Sequence, residues 1–148
     1  MLTQVISTTL KSLAIGFIVS LISSWLASDF LESFFKANLI TLLVALLAVN
    51  AATMGIVLAK MRDLIDKFEN PEAFEKTKKN MLLSIKEQIA LIVTGTVILT
   101  IKSAGNINQI SNMPLLLDSV ITGIFAYALF ILYDTAKSVL VIIDFDAS

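Results

Sequence analysis

The chain has 148 residues and contains no histidine and no cysteine. That removes imidazole bases, thiolate nucleophiles, disulfides and the usual soft metal ligands together. Carboxylates, ammonium groups, hydroxyls and amides remain, and what they can do depends on where they fall in the apolar runs. Asn50 and Thr53 lie three apart inside a long apolar run, with Gly55 beyond. Residues at that spacing share a helical face. An amide in hydrocarbon must find a hydrogen-bond partner or water. Two readings stand for this pair: an interhelical hydrogen bond, or a water-filled path. Thr96 and Thr100 form a second polar stripe, with Ser103 along it and Gln88 and Gly95 close by. Threonine hydroxyls can also bond back to their own helix. Asn50, Thr53, Thr96 and Thr100 are the candidate pore-lining residues.

Charged groups avoid the centres of these runs. Ion-coupled pumps place an ionisable group at mid-membrane, so this pattern argues against a pump. Asp118 falls near the start of the last run, where a carboxylate favours a helix N-terminus. Asp134 and Lys137 fall at its other end, three apart, as a local ion pair would. No phosphate-binding glycine loop, dinucleotide fingerprint, nucleophile elbow or metal-ligand motif is present in the sequence. The expectation is a protein that is not an enzyme and uses no cofactor or metal.

The elements that must position these residues are set by hydropathy. The apolar fraction is 57%, against roughly 45–50% for soluble domains, and the mean hydropathy is +0.87. So small a chain cannot hide that surplus in one core. Four runs suit transmembrane helices, at 10–28, 38–59, 88–104 and 115–133, with Lys11 and Lys102 snorkelling to the surfaces. The predicted fold class is all-α: a single membrane domain over 1–148, with helices two and three extended into a cytoplasmic helical hairpin. The first run reads as a retained helix rather than a signal peptide. No charge precedes Lys11, and Trp25 and Leu26 fall where a cleavage site needs small residues.

Basic residues set the orientation. Segment 60–87 carries seven (Lys60, Arg62, Lys67, Lys76, Lys78, Lys79 and Lys86), whereas 29–36 and 102–114 carry one each. Segment 60–87 and both termini are therefore expected in the cytoplasm. Met61, Leu64, Ile65 and Phe68 recur at helical spacing, so helix two should continue to about Glu69. Asn70 and Pro71 read as a stop and restart, with Asn70 as N-cap. Residues 71–87, if helical, would project roughly 25 Å. Lys76, Lys78, Lys79 and Lys86 are candidates for contact with anionic lipid heads, or for gating by a phosphate-bearing ligand. Phe30, Leu31, Phe34 and Phe35 suggest an aromatic outer loop beside Trp25, and 103–114 suggests an irregular one. The tail 134–148 is apolar enough to continue helix four. On helix one, Ser12, Gly16, Ser20 and Ser23 fall on one side, where small residues let helices approach closely. They are the helix-packing candidates, within the chain or between subunits.

In size, span count and charged hairpin at 60–87, which includes the stretch from Met81 to Ile89, the chain resembles small multi-pass membrane effectors of bacterial anti-phage defence operons, such as those of the Hailong and Kiwa systems. The resemblance implies a pore or membrane perturbation opened on infection, in the Hailong case linked to a nucleotide signal. It assigns a role to no residue. The expected function is a homo-oligomeric ion channel gated from the cytoplasmic side. The alternative is a non-conducting, holin-like or regulatory membrane subunit acting with a partner protein. Expected partners are the lipid bilayer, further copies of the chain, and a cytoplasmic nucleotide or protein activator; duplex nucleic acid is not expected.

Overall fold

A computed structural model describes the backbone of residues 2–68, 72–104 and 112–146. Among these residues there are four helices: α1 (Leu2–Trp25), α2 (Phe30–Phe68), α3 (Glu72–Ser103) and α4 (Met113–Asp146). No strand occurs among the described residues. All four helices are long and apolar enough to cross a membrane, the most apolar stretches having mean hydropathies of 1.7–2.4. This is the pattern of a multi-pass membrane protein.

The aromatic segment expected as a loop is helical. α2 begins at Phe30, and only residues 26–29 separate it from α1. The turn closes α1 tightly: Ser28 N–H donates to Ser23 O at 3.0 Å and Ala27 N–H to Ser24 O at 3.1 Å. Ala27 takes φ 49°, the left-handed conformation this cap requires. Alanine is strained there and glycine is not. Ala27→Gly should therefore stabilise the protein by about 0.5–1 kcal/mol, read from its unfolding midpoint in detergent. With the cap so short, Phe30 and Phe34 stack on the first turns of α2, ring centroids 5.7 Å apart. The proposed N-cap Asn70, with Pro71, lies outside the described residues, as do 105–111.

α4 is the hub. It packs on α1, α2 and α3, and half of its apolar stretch is buried, against 11–22% for the other helices. Its own composition explains this. Ser119, Thr122, Gly123 and Ala128 are all buried and small enough to admit neighbouring backbones. The closest approach is to α1. A Cβ on Gly16 would stand 2.2 Å from the Ser119 carbonyl oxygen and 2.6 Å from the Gly123 nitrogen. Ser12, Gly16 and Ser20 are buried on this face, with Ser23 half-buried one turn further on. The small residues of α1 thus serve a contact within the chain.

Two apolar clusters complete the bundle. Phe35, Leu39 and Leu43 of α2 pack with Ile121, Ile124 and Ala128 of α4. Further along, Met54, Val57 and Met61 of α2 meet Met81 of α3. Between the clusters lies the amide of Asn50.

Candidate functional site

Asn50 sits on the buried face of α2, one turn before Met54. Its Nδ2 donates to Oε1 of Gln88 on α3 at 2.9 Å, and both side chains are almost fully enclosed. The amide therefore finds an interhelical partner instead of lining an open path. One bond does not satisfy two amides. Asn50 Oδ1 and Gln88 Nε2 are buried without a partner among the described residues. Asn50→Leu or Gln88→Leu alone should each cost about 2 kcal/mol, because each strands the other amide. Asn50→Leu/Gln88→Leu together should recover most of that loss. The check is a double-mutant cycle on unfolding in mixed micelles, and additive losses would deny the coupling.

The other pore-lining candidates are occupied locally. Thr53 donates its hydroxyl to Val49 O at 2.9 Å, Thr96 to Ile92 O at 2.8 Å and Thr100 to Thr96 O at 2.8 Å. Thr96 and Thr100 face outward from the chain and Thr53 is half-buried. These hydroxyls are bonded to their own helices, and the fold does not bring them to a common site with Asn50.

The strongest electrostatic feature is one the sequence reading placed at the surface. Lys102 does not snorkel outward. Its side chain is 8% exposed and turned in between α2 and α4. Its Nζ pairs with Asp118 Oδ1 on α4 and, at 3.0 Å, with Glu32 Oε1 on α2. Asp118 is thus bound to a cation rather than only placed at a helix start. The short cap at 26–29 makes the cluster possible, because it starts α2 early enough to set Glu32 in its first turn. α3 delivers Lys102 in its last turn. One ammonium meets two carboxylates, so the cluster carries a net charge of −1. Buried charge in a membrane helix bundle is costly and needs partners of this kind. The signal available in the sequence was the placement of Glu32, Lys102 and Asp118 at one level of the predicted spans.

Two cavities flank the bundle. One of about 400 Å³ opens beside Glu32 and Asp118. The other, about 420 Å³, lies at the opposite end, where Glu87, Tyr127, Asp134 and Lys137 line it. Asp134 and Lys137 thus both face a cavity. Of the basic candidates, Lys78, Lys79 and Lys86 are exposed, and Lys79 pairs with Glu75 at 3.1 Å, a helical i,i+4 contact. The side chain of Lys76 lies outside the described residues. Among the described residues no cluster of three or more acidic side chains is arranged to hold a metal ion. No protein-family description, curated protein or solved structure matches the chain.

Proposed function

We propose that the chain is the protomer of a homo-oligomeric ion channel of a bacterial inner membrane, assembled along the outward face of α2 and gated from its cytoplasmic side. The observation that supports it is the composition of that face. Ala37, Thr41, Ala45, Ala48, Ala52, Gly55 and Ala59 recur at intervals of four or three, and all seven are exposed. At about 100° per residue they fall within roughly 80° of arc, opposite Leu39, Leu43, Asn50, Val57 and Met61. The stripe runs for roughly 33 Å, close to the thickness of the hydrocarbon core. A face turned to lipid is well served by large apolar side chains. α1 shows these outward at Leu10, Phe17 and Ile18, and α3 at Leu82, Val93 and Val97. α2 also exposes Val44, Val49 and Ile56, but between them it presents a strip of small side chains on which another helix can lie at close range. A Cβ on Gly55 would meet nothing within 4 Å.

Gly55→Leu and Ala48→Leu should therefore raise the midpoint concentration for oligomer formation in detergent at least about tenfold, with helix content unchanged. The absence of native cysteine gives a second readout. Ala48→Cys should form a disulfide between copies under oxidation, since that bond needs Cα atoms within about 7 Å. A strict monomer in both measurements rules the assembly out.

Conduction is tested by single-channel recording in planar bilayers. Replacing Lys76, Lys78 and Lys79 by Gln should alter opening if the charged ends of α2 and α3 sense the activating ligand. A membrane-depolarising defence effector would also collapse the membrane potential of expressing cells, which a potential-sensitive dye reports. One observation favours the second reading, a non-conducting membrane subunit acting with a partner protein. The hydroxyls of Thr53, Thr96 and Thr100 and the amide of Asn50 are all engaged within the chain. Ordered oligomers that stay silent in bilayers decide for that reading.

A further inference from the structure

The cavity of about 400 Å³ beside the Lys102 cluster has a chemistry of its own. Asp29, Glu32 and Asp118 line it, and Lys102, which pairs with Glu32 and Asp118 and is the only cation doing so among the described residues, approaches from outside the lining. Three carboxylates against one ammonium leave a charge of −2 around the space. Ser20 also lines it. Its hydroxyl is buried and has no hydrogen-bond partner among the described residues, unlike those of Ser12 and Ser119, which bond to their own helix. A buried hydroxyl without a partner is a cost that a ligand can remove. Phe35 and Leu115 give part of the wall an apolar character. An alkali ion has no use for that wall, whereas an ammonium on a carbon body uses both surfaces.

We propose that this cavity binds a small amphiphilic primary amine, its ammonium held by Glu32, Asp118 and the Ser20 hydroxyl and its carbon body against Phe35 and Leu115. Two sources offer that ammonium at a membrane surface: a free amine, or the headgroup of an aminophospholipid. The site does not depend on the protein conducting ions.

Trp25 provides the test. It is the chain's single tryptophan, exposed, and adjacent in sequence to the lining residues Ser24 and Ala27. Titrating the purified full chain with phenethylammonium should give a saturable change in its fluorescence with a Kd below about 1 mM, within the range open to a ligand of this size. The neutral 2-phenylethanol should bind at least tenfold more weakly. Ser20→Ala should weaken amine binding at least about tenfold, the value of one hydrogen bond to a charged group, while leaving the free protein at least as stable. Glu32→Gln should weaken it similarly. Repeating the titration in nanodiscs tells the sources apart. A midpoint raised by phosphatidylethanolamine, relative to phosphatidylcholine alone, identifies the lipid headgroup, and an unchanged midpoint identifies a free amine. Equal binding of amine and alcohol, wild-type affinity in Ser20→Ala, or no saturation by 10 mM on that same affinity scale overturns the proposal.

Discussion

Gly16→Ala is expected to destabilise the folded protein by about 3 kcal/mol, the upper part of the range for an overpacked contact. A single methyl group suffices because of what it meets. Its carbon would stand 2.2 Å from the Ser119 carbonyl oxygen and within 3 Å of the Gly123 backbone. Backbone atoms cannot swing aside as a side-chain end can, so α1 as a whole must back away from α4. The seam then loses dispersion contacts along its length, and in lipid no hydrophobic force compensates. Two other glycines calibrate the experiment. Gly123→Ala brings contacts of 3.3–3.4 Å and should cost less. Gly55→Ala meets nothing and should leave the isolated chain unchanged or up to about 1 kcal/mol more stable through helix propensity. Reversible unfolding in mixed micelles gives all three values. Equal responses at Gly16 and Gly55 would refute the close α1–α4 packing.

Lys102→Met carries the second large effect, a loss of about 3 kcal/mol, at the low end for stranding one side of a buried ion pair. The low end applies because Glu32 is about half exposed and water relieves part of the cost, whereas Asp118 is only 28% exposed. The cluster predicts an asymmetry. Asp118→Asn leaves Lys102 with Glu32, one charge against one, and should cost only about 1 kcal/mol. Lys102→Met leaves two carboxylates together with no cation. Combining Lys102→Met with Asp118→Leu should recover most of the loss, since a buried pair replaced by apolar groups is often neutral. The same unfolding measurement decides it. If the asymmetry is absent or inverted, Lys102 does not hold the two carboxylates.

How legible this was in the sequence differs from one residue to another. The apolar runs are visible because each crosses a bilayer's length with few charges, and the helices are long for the same reason. Continuation of the second helix past Met61, Ile65 and Phe68 is visible as periodicity, and α2 ends at Phe68. Asn50 declares that it needs a partner, but Gln88 lies 38 residues away and hydropathy does not record pairing. Lys102 shows the limit most clearly. A lysine at the end of an apolar run can reach outward to water or inward to carboxylates, and the run reads alike in both cases. The direction is fixed by Glu32 and Asp118, on other helices. Phe30 to Lys36 falls between the predicted spans at 10–28 and 38–59, so hydropathy reads it as a loop, whereas the cap at Ala27 starts a helix through it. The α2 stripe, spaced by four or three residues, was not singled out in the sequence, because small residues in an apolar run do not by themselves show which face they share. What needed the fold was that this stripe lies opposite the core.

The seam between α1 and α4 joins the first helix of the chain to the last. It also sets an order of events during synthesis. Among the described residues α1 packs substantially on α4 alone, so until α4 is made it lacks its main partner. Residues 26–112 must be made before α4 begins to emerge, which at about 5–20 residues per second takes roughly 4–17 s. Through that interval α1 waits in the membrane as a single helix with its serines and Gly16 uncovered. Any other small-faced helix nearby, including one from a neighbouring nascent chain, can claim that face first. Co-translational quality control therefore has a specific target here: the interval between the first span and the fourth.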